Sequence, residues 1–430
     1  MTATATADVP VDVAVDVVVV GGGPAGLAAA RTLRAAGVAR VVVVEREQTA
    51  GGVPRHTDHT GFGWRDRRRL QRGPAYARAN VAAALAAGVD LRTGTTATGW
   101  LAGTGLVLAT VEGQVEMHAR AVVLATGTRE RPRAARLIPG DRPAGVHATA
   151  AVQQLVAAGI RPGRRAVVVG AEHVSFSAID TLAHAGCKTV ALLTESARHQ
   201  TYAAMAWWSA GRRRVPVLCG VGVAEIVGRG RVEAVRLTDG RVLACDTVVV
   251  SGDWIAEHAL ARAGGLAVEP SSGSVVVDAA GRTGRAGVFA AGNVLHGALQ
   301  ADWCANEGAH VGAAVARWLG DHRWPADAVP VVAEPPLRWV APGHLQPTER
   351  PYAGRLVLVA DVFGRPGASV TASQQGRRLG RSRTRTPVAP GRPFTVAASW
   401  LAGVRPGAGA VSLTLDHAVD HPLDRPLEQR

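Results

Sequence analysis

The sequence predicts an α/β protein with two doubly wound domains, the second inserted in the first, followed by a small C-terminal β domain. The apolar runs Val15–Val20 and Ala166–Val169 each lead into a glycine-containing turn and a helical segment. Such runs, interrupted only by Asp16, are typical of parallel strands that are buried on both faces. A third strand, turn and helix return late in the chain, at Gly284–Leu319. Beyond Trp324, short alternating segments separated by Pro and Gly indicate antiparallel strands.

These segments divide the chain into four parts. We expect a flexible leader over residues 1–14, a first α/β domain from 15–145 and 281–325, a second from 146–280, and a β-rich domain from 331–430. The helix Pro24–Ala36 follows the first strand. The other expected strands are Val41–Glu45, Val89–Thr98, Gly105–Glu116, Ala121–Ala125, Thr189–Leu193, Thr247–Val250, Leu356–Val362, Ala368–Ala372, Phe394–Ala398 and Val411–Leu415.

Length and composition exclude several classes of protein. With 430 residues, 47% of them hydrophobic, the chain has room for two or three packed cores. Its four cysteines stand far apart, without C-x2-C or C-x4-C spacing. This excludes a disulfide-stapled scaffold and a cysteine-rich zinc or iron–sulfur site, and we expect no metal. Because no apolar run reaches about 18 residues and no signal peptide is recognisable, we expect no transmembrane segment and a cytoplasmic location.

The formal net charge of +14 comes almost entirely from arginine, because Lys188 is the only lysine among 48 basic residues. The arginines are scattered, with local clusters at Arg65–Arg72, Arg212–Arg214 and Arg377–Arg385. Aromatic residues make up only 4% of the chain and no nucleic-acid-binding module is recognisable, so we expect no nucleic acid partner. The basic surface either attracts an anionic cofactor or acidic partner, or is simply solvated.

The turn after the first strand carries a dinucleotide-binding motif. Gly21, Gly23 and Gly26 form G-x-G-x-x-G, in which the glycines permit a tight turn, the approach of a pyrophosphate and close packing of the helix. The helix N-terminus presents free N–H groups to the phosphates. Glu45 ends the second strand 19 residues later, where its carboxylate can accept hydrogen bonds from ribose hydroxyls. The residues expected to bind a dinucleotide here are Gly21, Gly23, Pro24, Ala25, Gly26, Glu45 and Arg46.

Three further motifs follow in order along the chain. They are Gly51-Gly52, Ala125-Thr126-Gly127 and Gly287–Asn293. Together with the first motif, they make the chain, from Asp16 to Leu319, resemble the pyridine nucleotide–disulfide oxidoreductase superfamily of FAD enzymes. The resemblance implies two Rossmann-like domains of the glutathione reductase type, with FAD bound by the first and the late segment touching its ribityl chain and flavin.

The resemblance also implies which other residues meet FAD: Gly51, Gly52, Arg55, Ala125, Thr126, Gly127, Gly292, Asn293 and His296. The family usually has Asp where this sequence has Asn293, whose amide still hydrogen-bonds a hydroxyl or phosphate. His56 and His59 follow the glycine pair and are the candidate catalytic residues, because an imidazole near the flavin can move the proton that accompanies electron transfer. The alternative is that both histidines only hydrogen-bond the flavin edge or the loop backbone.

Two departures from the family bear on the reaction. Where the disulfide reductases carry a redox-active C-x4-C pair, this chain has Pro54 and His59, so thiol–disulfide reduction is not expected. The second dinucleotide motif keeps only its first glycine, and Glu172 and Ser175 replace the others. A bulky side chain of like charge beside a pyrophosphate opposes binding, whereas Glu195 after the next strand can still meet a ribose. Use of NAD(P)H is therefore weakened but left open.

Within this superfamily, four stretches resemble the FAD subunits of multi-component amine, hydroxyproline and opine dehydrogenases and of glycerol-3-phosphate-dehydrogenase-associated oxidoreductases. The stretches are Gly51–Ala79, Gly127–Gly140, Val169–Ala178 and Gly252–Ile255. This implies a subunit that passes electrons between a partner substrate dehydrogenase and an acceptor. Its partners would be a second flavoprotein or an iron–sulfur subunit, with a small-molecule substrate or electron acceptor. Two alternatives stay open: a stand-alone NAD(P)H-dependent flavin oxidoreductase, and a non-catalytic FAD-stabilised scaffold subunit.

Overall fold

The computed structural model describes residues 13–419 of the chain. The leader expected over residues 1–14 lies outside this range, apart from residues 13 and 14, which already belong to the first strand. The last residues of the expected β-rich domain, 420–430, also lie outside it.

The elements follow one another in three groups. Up to residue 157 they are β1 (Val13–Val20), α1 (Pro24–Ala35), β2 (Val41–Val44), β3 (Thr60–Phe62), α2 (Trp64–Arg67), β4 (Gln71–Arg72), α3 (Gly73–Ala86), β5 (Asp90–Arg92), β6 (Thr96–Trp100), β7 (Leu106–Thr110), β8 (Gly113–Leu124), β9 (Thr128–Glu130), β10 (Val146–Ala148) and α4 (Thr149–Ala157). Up to residue 263 they are β11 (Arg165–Val169), α5 (His173–His184), β12 (Lys188–Thr194), α6 (Ala203–Ser209), β13 (Val217–Cys219), β14 (Val223–Val227), β15 (Ala234–Leu237), β16 (Val242–Ala244), β17 (Thr247–Val250), β18 (Trp254–Ala256) and α7 (Ala259–Ala263). The rest are β19 (Val288–Ala290), α8 (Asn293–His296), α9 (Ala301–Asp321), β20 (Val329–Ala333), β21 (Leu337–Ala341), β22 (His344–Leu345), β23 (Arg355–Ala360), β24 (Phe363–Gln374), β25 (Arg377–Arg383), β26 (Phe394–Ala397) and β27 (Val411–Val419).

The first sheet combines strands from the beginning and from the later part of the chain. Its order is β5-β2-β1-β8-β7-β6, with β19 added beside β8, and β2, β1, β8 and β19 run in parallel. Val17, Val18 and Val19 have no exposed surface, as predicted for a strand covered on both faces. The prediction of separate strands at Gly105–Glu116 and Ala121–Ala125 is wrong. The chain turns after β7, and β8 continues as one strand because its first half pairs with β7 and its second half with β1.

The second sheet is built by the chain that lies between β8 and β19. Its parallel strands have the order β10-β17-β11-β12-β13, flanked by the antiparallel sheet β14-β15-β16. A short antiparallel pair, β9 with β18, is formed where the chain leaves the first sheet and where it returns. Two Rossmann-type units, the second interrupting the first, are therefore confirmed as the fold class.

In the described part of the C-terminal region, all of the longer elements are strands. The sheets β22-β20-β27-β24-β25 and β21-β23-β26 enclose a core that includes Leu356, Leu358 and Leu413, each without exposed surface. This agrees with the predicted strand-rich tail.

Helix α9 lies directly on α1. A Cβ on Gly308 would lie 2.1 Å from the carbonyl oxygen of Ala25, and one on Gly312 would lie 2.7 Å from that of Ala29. Because these two glycines lack side chains, the helices approach closely and the late segment is held over the beginning of α1. No helix in residues 13–419 is long and apolar enough to cross a membrane.

Candidate cofactor site

The first glycine motif is locked against the end of β8. Gly21 adopts φ of +110°, and a Cβ there would lie 2.3 Å from the carbonyl oxygen of Ala125. A Cβ on Gly26 would lie 2.0 Å from the carbonyl oxygen of Gly21. Neither position tolerates a side chain, so these glycines set the turn and the close approach of α1, as the motif predicts.

Gly23 differs because the space beside it is open. A Cβ there would approach only the Cα of Gly52, at 3.9 Å. Gly52 has φ of +64°, and the N–H of Gly51 donates to the carbonyl oxygen of Gly22 at 2.8 Å. The two glycine loops therefore pack backbone to backbone. The first turn of α1 has no side-chain cap and no acidic residue, so its N–H groups face this space as an anion-binding end.

Glu45 is held beside the glycine loop. Its Oε2 accepts a hydrogen bond from the N–H of Gly22 and its Oε1 from that of Glu47, both at 2.9 Å. The residue is 9% exposed, whereas the neighbouring Arg46 is exposed. Each carboxylate oxygen retains further acceptor capacity. Glu45 can thus hold the loop in shape and still receive ribose hydroxyls, a double role that the sequence did not suggest.

The late glycine segment reaches the same end of α1. Gly292 has φ of +80°, and a Cβ there would lie 2.6 Å from the Cβ of Ala25. Its N–H donates to Oε2 of Glu307 at 2.8 Å, and the same oxygen lies 2.8 Å from Nε2 of His296. His296 is fully buried, and its Nδ1 has no hydrogen-bond partner. Glu307 was missed by sequence analysis because it lies on α9 and outside the glycine motif.

The side chain of Asn293 is used within its own loop. Its amide nitrogen donates to the carbonyl oxygen of Leu299 at 3.2 Å, while Oδ1 accepts from the N–H of Leu299 at 2.9 Å and lies 3.3 Å from Sγ of Cys304. Burial raises the pKa of the Cys304 thiol well above its ordinary value. Asn293 therefore has a structural role that the sequence did not predict, and contact of its amide with FAD stays a prediction.

Thr126 and Gly127 join the two α/β units. The hydroxyl of Thr126 donates to the carbonyl oxygen of Glu257 at 2.7 Å, and the N–H of Glu257 donates to the carbonyl oxygen of Gly127 at 3.0 Å. Gly127 has φ of +77°. Ala125 contacts the first glycine loop, and the two residues after it bond the residue that follows β18. The first glycine loop is thereby connected to the strand by which the chain returns from the second sheet.

His56 ends a 3₁₀ turn, Val53–His56, that begins directly after Gly52. Its Nε2 lies 4.0 Å from Oε2 of Glu47 and is buried without a hydrogen-bond partner. Burial lowers the pKa of His56, the guanidinium of Arg55 lowers it further, and Glu47 opposes both. Arg55 forms an ion pair with Glu47 and donates from Nε to the carbonyl oxygen of Gly52 at 3.3 Å. The turn thus places an unpartnered imidazole nitrogen just after the glycine pair.

His59 has different surroundings. Its Nδ1 lies 2.8 Å from the carbonyl oxygen of Thr60, and its ring stacks on Phe62 at 5.4 Å between centroids. It lines a cavity of about 370 Å³ together with His184 and Trp208. The two candidate histidines therefore contact different groups, and a catalytic role for either stays a prediction.

The second dinucleotide motif has the backbone geometry of the first. Gly170 has φ of +125°, and a Cβ there would lie 2.3 Å from the carbonyl oxygen of Ser251, which corresponds to the contact of Gly21 with Ala125. The chain differs at Glu172, the residue before α5. Its Oε1 accepts from the N–H of Asp253 at 2.8 Å and its Oε2 from Nε1 of Trp254 at 2.9 Å. Burial raises the pKa of Glu172 to about 7.

The C-terminal β region covers this second motif. A Cβ on Gly391 would lie 3.9 Å from Oε1 of Glu172. The neighbouring Arg392 donates to the carbonyl oxygen of Gln200 at 2.6 Å and stacks 4.6 Å over the ring of Tyr202. Gln200 in turn donates from its N–H to the carbonyl oxygen of Ala171. Glu172 and the C-terminal region therefore both lie close to the beginning of α5, whereas a Cβ on Gly23 would approach only Gly52.

Within residues 13–419, no group of three or more His, Cys, Asp and Glu side chains is arranged to hold a metal ion. All four cysteines are free thiols.

The chain is similar in sequence to known proteins. Residues 15–316 match the family described as pyridine nucleotide-disulphide oxidoreductase. The probable ferredoxin reductase CtmF of Castellaniella defragrans is 31% identical over 189 residues, covering 42% of this chain and 45% of that protein. An opine oxidase subunit of Agrobacterium tumefaciens is 28% identical over 312 residues, covering 65% of this chain and 61% of that protein. The chain thus matches between 45% and 61% of the length of these curated relatives.

The fold is also found among solved structures. The thioredoxin reductase of T. acidophilum superposes with a TM-score of 0.60 at 22% identity, over 71% of this chain and 99% of that one. This likeness concerns the pair of Rossmann-type units.

Proposed function

We propose a function from one premise: the chain belongs to the pyridine nucleotide-disulphide oxidoreductase family. It is an FAD-dependent oxidoreductase that acts in electron transfer. In this proposal it is the FAD subunit of a larger assembly. It passes electrons between a partner substrate dehydrogenase and an acceptor, and it does not take them from NAD(P)H.

The residues at the beginning of α1 fit FAD. The open space at Gly23 and the uncapped N–H groups of α1 suit a pyrophosphate, and Glu45 retains acceptor capacity for a ribose. Gly52 and Gly292 border the same end of the helix. FAD bound there supplies hydride and one-electron chemistry.

His56 is the residue of this chain that we propose to handle the accompanying proton. Its lowered pKa keeps the imidazole neutral near neutral pH, so that Nε2, which lacks a hydrogen-bond partner, can accept a proton. Arg55 holds the carbonyl group of Gly52 and the carboxylate of Glu47, and so keeps the turn in place.

The observation that carries the proposal is the filled second motif. Glu172 lies fixed between the N–H of Asp253 and the indole of Trp254, with Gly391 above it. Because its pKa is raised to about 7, repulsion between charges is a smaller obstacle to a pyrophosphate than the sequence suggests. We propose that the larger obstacle is volume, since the side chain of Glu172 stands where the motif has its second glycine and Gly391 lies close to its carboxylate.

The relatives support a partner. The similar opine oxidase protein is itself named as a subunit. In the present chain the cysteines are separate free thiols, so an iron–sulfur centre would belong to a partner polypeptide in this proposal. The partner is accordingly a second flavoprotein or an iron–sulfur subunit.

A second candidate function is a stand-alone NAD(P)H-dependent flavin oxidoreductase. Its support comes from the relatives, because one is named as a probable ferredoxin reductase and another, in Paraburkholderia xenovorans, as a ferredoxin–NAD(+) reductase component. In this chain, Glu195 directly follows β12 and stands where an acidic residue can meet a ribose.

Calorimetric titration of the FAD-loaded protein with NADH and with NADPH distinguishes the two candidates. We expect no saturable binding to the wild-type chain at concentrations up to about 1 mM, the upper end of common KM values. Saturable binding in the micromolar range would favour the stand-alone reductase and contradict the proposal.

A further inference from the structure

We infer that the surface on which two arginine clusters meet is the docking site for an acidic electron-transfer protein, and this inference rests on the proposed function. We call this surface, formed by residues 58–72 and 207–214, the arginine face. Both segments line the cavity of about 370 Å³, with Arg72 and His59 from the first and Trp208, Arg212 and Arg213 from the second. The fold thus joins two of the three clusters that are far apart in the sequence.

The arginine face carries an excess of positive charge. It contains eight arginines: Arg65, Arg67, Arg68, Arg69, Arg72, Arg212, Arg213 and Arg214. Four aspartates lie in it or pair with it: Asp58, Asp66, Asp180 and Asp302. Arg68, Arg69 and Arg214 are exposed, so the excess faces solvent.

Large apolar side chains are exposed among these charges. Trp207 is 65% exposed, Trp208 is 58% exposed and Leu70 is 60% exposed. The guanidinium of Arg212 lies 4.5 Å over the ring of Trp208. Single exposed apolar residues need no explanation, but tryptophan and arginine together are the residue types that dominate binding energy in protein interfaces. A merely solvated basic face does not require these exposed rings.

The arginine face is attached to the candidate FAD site. A Cβ on Gly73, the residue after Arg72, would lie 2.4 Å from the carbonyl oxygen of Pro54 and 2.2 Å from that of Thr57. Pro54 belongs to the turn that follows Gly52. A protein seated on the arginine face would therefore lie next to the turn that follows the glycine pair. Positive charge here steers an acidic partner into that position.

The test uses a purified acidic [2Fe–2S] ferredoxin as the probe and the FAD-loaded full chain. Calorimetry at low salt compares the wild type with Arg69→Glu/Arg212→Glu, which reverses one exposed charge in each cluster. The matched control is Arg378→Glu/Arg383→Glu, which makes the same charge change on the exposed arginines of β25. We expect the first variant to bind at least about tenfold more weakly, and the control to stay within about twofold of the wild type. No binding to the wild type, or equal loss in both variants, would overturn the inference.

A second measurement separates this inference from the proposed function. Binding that is lost in Arg69→Glu/Arg212→Glu, without electron transfer from reduced flavin to the ferredoxin, supports the surface and contradicts the function. Light scattering of Trp207→Ala/Trp208→Ala tests the other occupant. If that variant is a monomer and the wild type a dimer, the surface is an interface between copies of this chain, and the inference is overturned.

Discussion

Replacement of Glu172 by Gln is expected to change how stability depends on pH. Burial raises the pKa of Glu172 to about 7 from the ordinary 4.5, although Asp253 and Trp254 donate hydrogen bonds that act in the opposite direction. Because folding raises the pKa, the stabilisation from the neutral acid is complete below about pH 4.5 and is lost as the pH rises through about 7. The difference between these two pKa values corresponds to about 3 kcal/mol of unfolding free energy, at about 1.4 kcal/mol per pKa unit.

Urea unfolding of the wild type and of Glu172→Gln measures this difference. The variant does not titrate, and its NH₂ group cannot accept a hydrogen bond from the donor it faces, which costs about 1–3 kcal/mol at every pH. The stability of the wild type relative to the variant should therefore fall by about 3 kcal/mol between about pH 4.5 and about pH 8.

The matched control is Glu225→Gln in the same α/β unit. Glu225 is 40% exposed and pairs with Arg236, so its replacement should leave the pH dependence nearly unchanged over this range. A constant difference between the wild type and Glu172→Gln would contradict a raised pKa, because it would mean that Glu172 titrates alike in the folded and unfolded chain.

Three further outcomes follow from the cofactor site. Gly23→Glu places a carboxylate in the open phosphate space, so the flavin content of the purified protein should fall to less than about a tenth of the wild-type value. The control Gly284→Ala should retain its flavin, because a Cβ there meets nothing within 4 Å. Equal flavin content in both variants would contradict the assignment of this space to the phosphates. His56→Ala should slow flavin reduction about tenfold or more, whereas His59→Ala should not; stopped-flow absorbance measures both rates, and equal rates in wild type and His56→Ala would end the proton-transfer role. Glu307→Gln leaves a weaker acceptor for a backbone N–H and a buried imidazole. It should therefore lower the unfolding free energy, measured by urea unfolding, by about 1–3 kcal/mol. An unchanged unfolding free energy would contradict the role of Glu307 as that acceptor.

The glycine geometry of the first site was predictable because it follows from local rules. The spacing of Gly21, Gly23 and Gly26 between a buried strand and a helix predicts a turn in which the first and third positions admit only glycine, and the structure has that turn. The same rules identified the strand-rich tail and the second, degraded motif. The two predicted strands have other boundaries in β7 and β8 because the sequence does not show that a hairpin strand continues into the parallel sheet.

The contacts that decide the chemistry were not predictable in this way. Glu172 meets Trp254 from a distant part of the chain, and Gly391 comes from the C-terminal region. Glu307 bonds Gly292 only because α9 is packed against α1. Such contacts depend on tertiary packing, which leaves no regular spacing in the sequence.

We propose that the flavin of this chain receives its electrons from a partner protein. An anaerobic titration of the purified yellow protein with NADH and NADPH, followed at the visible flavin band, tests this proposal. We expect no bleaching at donor concentrations up to about 1 mM, with complete bleaching on addition of dithionite. Rapid bleaching by micromolar NADH or NADPH would contradict it, because the beginning of α5 would then accept a nicotinamide dinucleotide despite Glu172.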